Sequence, residues 1–420
     1  MTGTEGHGDA LEDLSADIAR VGEIFEGTTR YLRRTFVRGP VHGGWRQFLQ
    51  EDGPPSPTGT ACAIGALVAM GVSPSDPQLV IARDLLFSTV CADGGWSKPR
   101  LADQFSLTMV TCLSLLALSR MGVSSEHPVL LGALDWVVAA QNSDGGWGNT
   151  HRDGQSDTTA TSYAMRALTL DDDARLRFGS VVEAGAGWMD RQTEDGAWGI
   201  RSGTAPTVAH TSHGVAALIA AGRPTESLRA SREWLLARAG GDPPAAWLEH
   251  YYGTPGNGSV RAGGPDADEG AAAAGHWVRM RWTHLPAERT LIALLLLVAD
   301  PSIDAVRRMA RDTLARHHAN SYWRVASMPD TAPSWAVLEA VDALARYRRR
   351  LRETGQLSWL KRINADLVTE IAELRVDNSA LLATVQKLDE RLSALESAGS
   401  REPGSTPAQR QAPAPVEEPR

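Results

Sequence analysis

Apolar and small residues run along this chain at helical spacing, and no stretch alternates with polar residues at period two, so helices are expected and strands are not. Pro128 to Gln141 shows the pattern: an apolar face that ends in Asn142-Ser143-Asp144-Gly145-Gly146, where glycine permits the left-handed backbone that terminates a helix. After Trp147 come a polar loop and then Ser156-Asp157-Thr158-Thr159, an N-cap signature ahead of the next apolar run. Each unit reads as two helices.

The pattern keeps a clock. Trp45, Trp96, Trp147 and Trp198 stand 51 residues apart, each closing a turn of the type Asp93-Gly94-Gly95-Trp96. Leu67, Leu118, Leu168 and Leu218 end small-residue apolar segments about 20 residues behind each tryptophan. Trp247 follows Trp198 by 49; Leu294 then follows Leu218 by 76, Trp323 follows Trp247 by 76, and Leu344 follows Leu294 by 50. One insertion, placed at 252–275, accounts for both long steps and leaves six copies of one unit. Helical hairpins bury little alone and stack on their neighbours. Six of them without a polar capping repeat favour closure, so the expected fold is all-α: an (α/α)6 toroid over 21–353, with the small-residue helices inside. Residues 1–20 read as a flexible start.

A second register follows. Leu360, Leu367, Leu374, Leu381, Leu388 and Leu395 recur every seven residues, with Leu357, Asn364, Ile371, Asn378, Val385 and Leu392 at the companion position. Leucine at d, Ile or Val at a and buried Asn predict a parallel two-stranded coiled coil over 354–397, hence a homodimer or partner docking through 357–395. Glu370 with Arg375 and Arg391 with Glu396 would pair across it. A single helix folded onto the toroid is the alternative. Tyr347 to Arg352 is basic, but it continues the last toroid helix and carries no base-reading pattern. Residues 398–420 are rich in Pro, Gln, Glu and Arg and read as disordered.

Trp136-Val137, Gln141, Asn142-Ser143-Asp144 and Gly145-Gly146-Trp147 resemble the glutamine–tryptophan repeat of squalene and hopene cyclases. Gln192-Thr193-Glu194-Asp195-Gly196-Ala197-Trp198 is a second copy. Earlier turns lack the Gln, and Cys91 stands near its place in one. Related repeats occur in protein prenyltransferase beta subunits. The resemblance covers Thr28 to Arg352. It implies that Trp45, Trp96, Trp147, Trp198, Gln141 and Gln192 brace the outside of the ring, and that a central cavity lies at the N-terminal ends of the inner helices.

In those cyclases an Asp-any-Asp-Asp motif protonates an alkene or epoxide, and aromatic faces stabilise the cation. This chain lacks that motif. In context the nearest match is Gln155-Ser156-Asp157-Thr158-Thr159-Ala160, which keeps only Asp157; that residue reads as an N-cap or as the proton donor. In composition the nearest is Asp266-Ala267-Asp268-Glu269 in the Gly-rich insertion: solvated loop acids, or the acid or magnesium-diphosphate site of a lid. Asp171-Asp172-Asp173 reads as a turn. His210 and His213 share a face of one inner helix, where they line the cavity or pack. Zinc has no third ligand to name and is not expected. Phe105, Tyr163, Trp277, Trp282 and Trp335 are the aromatic candidates for the cavity. Six Phe and six Tyr are few for a polycyclising enzyme, which favours simple apolar-ligand binding.

The net charge of −8 argues against a general nucleic-acid binder. The polar start Met1-Thr2-Gly3-Thr4-Glu5 shows no signal peptide, and the longest apolar run, Leu291 to Ala299, is too short to span a bilayer. Peripheral membrane contact stays open. Cys62, Cys91 and Cys112 read as reduced thiols of a cytoplasmic protein. The expected function is binding of a polyisoprenoid or other apolar chain, with class II cyclase (isomerase) chemistry in view. The alternative is a non-catalytic scaffold assembled through the coiled coil. No cofactor is called for; Mg2+ would enter only with a diphosphate substrate.

Overall fold

The computed structural model describes residues 5–98, 105–149, 155–201, 203–241, 250–253, 278–281, 285–298, 300–325 and 331–399. Its helices are α1 (Glu5–Arg34), α2 (Pro57–Met70), α3 (Pro77–Ser88), α4 (Thr108–Arg120), α5 (Pro128–Ala139) and α6 (Thr158–Ala167), then α7 (Asp172–Gln192), α8 (Val208–Ala220), α9 (Arg229–Gly240), α10 (Pro286–Leu297), α11 (Asp304–Ala315) and α12 (Ser334–Gly399). The chain divides into two units, Met1–Gly355 and Gln356–Arg420.

In the first unit the even-numbered helices form an inner ring. Each packs on the next in order from α2 to α10. The start of α12 closes the circle: Ser334 N donates to Gln47 O at 2.8 Å, and Leu49 N donates to Ala332 O at 3.0 Å. Small residues allow this crowding. Every residue of α2 from Pro57 to Leu67 is buried, so the helix has no solvent face. Outer helices are buried on one stripe only, as with Leu79, Ala82 and Leu86 of α3.

The periodic tryptophans fasten outer to inner helices. Trp45, Trp96, Trp147, Trp198 and Trp323 are all essentially inaccessible. The indole N–H of Trp147 donates to Val137 O at the end of α5 at 2.7 Å, while its backbone N–H donates to Thr161 Oγ1 in α6 at 2.9 Å. Trp45, Trp96 and Trp198 repeat both bonds with their own helices. Gln141 Nε2 donates to Gly145 O and to Val181 O of the next outer helix at 2.9 and 3.0 Å, so it ties neighbouring units. The turn itself needs glycine. Gly145 and Gly196 have φ of 91° and 80°, and a methyl on Gly196 would meet Ala230 at 2.6 Å.

Two details depart from the sequence reading. Short antiparallel pairs occur, β1 (Val37–Arg38) with β2 (Gly43–Gly44), and β3 (His250–Gly253) with β4 (Val278–Arg281). At two and four residues they are too short for period two to register. Helix α1 begins at Glu5, within the stretch read as flexible; its Ile18 packs on the core and Asp17 accepts from Tyr347 Oη at 2.7 Å. In the second unit the heptad leucines lie exposed, from Leu367 at 49% to Leu395 at 71%. No helix among the described residues is long and apolar enough to cross a membrane.

Candidate functional site

All six inner helices contribute to one cavity of about 210 Å³. The repeat register locates its lining in layers. Five residues before the periodic leucine stand Cys62, Leu113, Tyr163, His213, Arg289 and Glu339. Two residues before it stand Gly65, Leu116, Arg166, Ala216, Ile292 and Asp342. Arg120, Ala220, Leu296 and Arg346 follow it by two. Every one of these lines the cavity except Cys62, whose place Ala61 takes. Steps of three and four residues return to one helix face, which is why the layers stack.

The first layer is a polar chain across four successive helices. The Tyr163 ring of α6 lies 5.3 Å from that of His213 in α8. Arg289 of α10 donates from Nη1 to His213 Nε2 and pairs through Nη2 with Glu339 Oε1 of α12. Below it, Arg120 reaches from α4 to Asp342 Oδ2 at 2.8 Å and to Gly65 O at 3.1 Å. The Arg166 guanidinium rests over the Tyr163 ring at 5.4 Å.

Burial sets the charge states. It lifts the Glu339 carboxyl above the usual carboxylate range, and the Arg289 cation offsets only part of that rise. Burial acts on Asp342 too, but the Arg120 charge and hydrogen bond, with Arg346 and Arg166 behind, outweigh it and hold Asp342 low. His213 falls well below the usual imidazole value, first through burial and then through Arg289 and Arg166, so it is neutral and its Nε2 is free to accept. Burial pushes the Tyr163 phenol up to about 12. Glu339 is 8% exposed, and its Oε2 has no hydrogen-bond partner among the described residues.

Of the residues singled out in the sequence, Tyr163 and His213 line the cavity. Asp157 does not: it is the N-cap of α6, with Oδ1 accepting from Ala160 N at 2.8 Å. His210 is buried in the first turn of α8, where Nδ1 meets Thr207 Oγ1 at 2.8 Å. Phe105 lies ahead of α4, and Trp335 packs against Leu285, Val325 and Ala336. The reason is common to all four. The cavity occupies the later turns of the inner helices, whereas these residues stand at or before the first turn, where the cyclase resemblance places the pocket. Asp266, Asp268, Glu269, Trp277 and Trp282 lie outside the described residues. Asp171 caps α7 through Ala174 N at 2.8 Å.

Glu339, Asp342, Arg120, Arg166, Arg289 and Arg346 went unselected in the sequence reading. The signal was present, because all six occupy register positions fixed by the periodic leucines, and an ionisable residue there faces the axis.

Comparison with known proteins agrees with this architecture. Residues 106–206 match the squalene-hopene cyclase C-terminal domain family. Squalene–hopene cyclase of Zymomonas mobilis is 25% identical over 217 residues, 44% of this chain and 32% of that enzyme, so the chain spans about a third of its length. Among solved structures, the type II terpene cyclase MstE from Scytonema superposes with a TM-score of 0.54 at 14% identity, covering 79% of this chain and 99% of that one. A variant of MstE in complex with geranylgeranyl dihydroxybenzoate, its substrate, gives 0.53 at 13%, covering 80% and 99%. At these identities the structural likeness is one of fold.

Proposed function

We propose that this chain, a toroid of the terpenoid cyclase superfamily, takes a short isoprenoid or similar apolar chain into its cavity and isomerises it by proton-initiated cyclisation, with Glu339 as the acid. One observation carries this reading: the cavity wall holds two carboxyls three residues apart in unlike settings, Glu339 buried with its Oε2 unpartnered among the described residues and Asp342 bonded by Arg120 at 2.8 Å, and burial lifts the first while Arg120 holds the second low. Environments that split a carboxyl pair in this way separate the proton donor from the permanent anion. Glu339 gives its proton to one alkene carbon, whose π electrons form the new C–H bond. The cation left on the adjacent carbon is captured by the next double bond, which forms a C–C bond. The final cation loses a proton, which returns to the carboxylate. No atom is gained or lost, so the product is an isomer. The ionised Asp342 offers stabilisation to the travelling charge.

Size supports a short chain. At about 210 Å³, the cavity falls below the roughly 300–1,000 Å³ of drug-sized pockets. A pure scaffold has less support, because a packed centre would serve it better than a charged hollow. We place the protein in the cytoplasm, with Mg2+ engaged only by a diphosphate-bearing substrate. Incubating the full chain with farnesyl, geranylgeranyl and squalene substrates, then resolving products by gas chromatography and mass spectrometry, tests the reading. Cyclic isomers of the shorter chains are expected, lost in Glu339→Gln and retained in Asp157→Asn. Cyclic product from Glu339→Gln, or none from the natural chain, contradicts it.

Assembly through the second unit belongs to the same proposal. The exposed leucines form one seam at seven-residue spacing, Asn364 and Asn378 set its register, and Glu370 and Arg391 face opposite charges on a parallel copy. Light scattering should give twice the 45.0 kDa chain mass, falling to a monomer on truncation at Gln356. An unchanged state of assembly after truncation refutes the coiled coil.

A further inference from the structure

Four guanidinium groups line the cavity, from Arg120, Arg166, Arg289 and Arg346, against two carboxyl groups. Both acids are already engaged, Asp342 by Arg120 and Glu339 by Arg289. The neutral His213 adds no charge of either sign. Arg166 and Arg346 form no ion pair among the described residues; both are half-buried and converge on the same hollow. Arg166 lies over the Tyr163 ring and Arg346 one turn beyond Asp342 on α12, and both act on Asp342 only from behind Arg120. Four confined cations outnumber the two carboxyls that face them, and such an excess is unfavourable unless an anion joins them. Guanidinium forks suit carboxylate and phosphate oxygens.

We propose that Arg166 and Arg346 form an oxyanion subsite inside the toroid, which holds the carboxylate or phosphate terminus of the chain bound there. This rests on the reading of the cavity as a chain-binding site. The spacing suits it. Arg346 stands seven residues beyond Glu339 on α12, about 10 Å of helical rise. The anionic end is held in the later layer, and a double bond a short chain away meets the acid.

Calorimetric titration of the full chain with farnesol, farnesoic acid, farnesyl phosphate and inorganic phosphate tests the subsite. The three farnesyl compounds differ at the terminus. At least one anionic chain should bind about tenfold tighter than farnesol, since a charge-assisted contact is worth about that much. Which of the two gains more identifies carboxylate or phosphate as the native terminus. Arg166→Gln and Arg346→Gln should each erode the preference, leave farnesol affinity unchanged, and keep or raise the melting temperature, because each removes one cation from the excess inside the cavity. Equal binding of farnesol and both anionic chains overturns the subsite while leaving chain binding intact. A preference that survives in the double variant, or lower melting temperatures with unchanged anion affinity, also overturns it. Phosphate binding without any chain binding supports the subsite and defeats the chain reading. Absence of all binding defeats both.

Discussion

Glu339 and Asp342 make pH the sharpest probe at the residue scale. Burial raises the folded value of Glu339. Proton donation needs the protonated form, so turnover should be full at low pH and fall as pH rises through that value, above the ordinary glutamate range of about 4.3. The stability it contributes has the same sign: complete below the unfolded value and lost as pH rises through the folded one. Asp342 behaves oppositely, because its folded value is depressed; its contribution is present above the unfolded value and disappears as pH falls through the folded one. Arg289 pulls Glu339 down, so Arg289→Gln should move the alkaline limb of the rate profile to higher pH. A limb that stays in place would remove Glu339 from the acid's role. Asp157, by contrast, should act on folding alone. Asp157→Ala is expected to lose about 1 kcal/mol in urea unfolding through its lost cap. The cap was legible because Ser156-Asp157-Thr158-Thr159 carries its own local chemistry. Glu339 was legible only in part: the periodic leucines give its register, five residues before Leu344, but that this register looks inward is a property of the assembled ring.

At the scale of the element, the repeat unit was readable almost throughout. Tryptophan, glycine and capping threonine or serine act over one turn and one loop, so their spacing reports the hairpin directly. Glycines separate cleanly into two kinds. Gly196 has a left-handed φ of 80° and backbone from Ala230 against it; Gly196→Ala should destabilise by more than about 1 kcal/mol. Gly132 lies inside α5 with open space around it; Gly132→Ala should stabilise by about 0.5–1 kcal/mol through helix propensity. Denaturant titration of both variants checks the contrast, and equal effects would contradict it. The pairs β1–β2 and β3–β4 escaped notice because short ladders impose no periodicity.

At the scale of the molecule, the ring followed from counting: six units without polar caps close on themselves. The place of the cavity did not follow. The cyclase resemblance drew attention to the first turns of the inner helices, where Asp157 and His210 serve as cap and packed side chain. The hollow lies in the later turns, where arginines and carboxyls stand among small and apolar lining residues. Only the folded register, with each helix turned by its outer partner and its tryptophan anchor, decides which of three or four faces meets the axis.

The central claim is that this hollow receives an apolar chain, and photolabelling reads it most directly. The full chain would be irradiated with a diazirine-bearing farnesyl probe, digested, and its labelled peptides mapped by mass spectrometry. Adducts are expected on the inner-helix segments 113–120, 163–166, 212–220, 289–296 and 338–346, suppressed by unlabelled competitor. Adducts confined to outer helices or to 357–395, or labelling that competitor leaves unchanged, would contradict it.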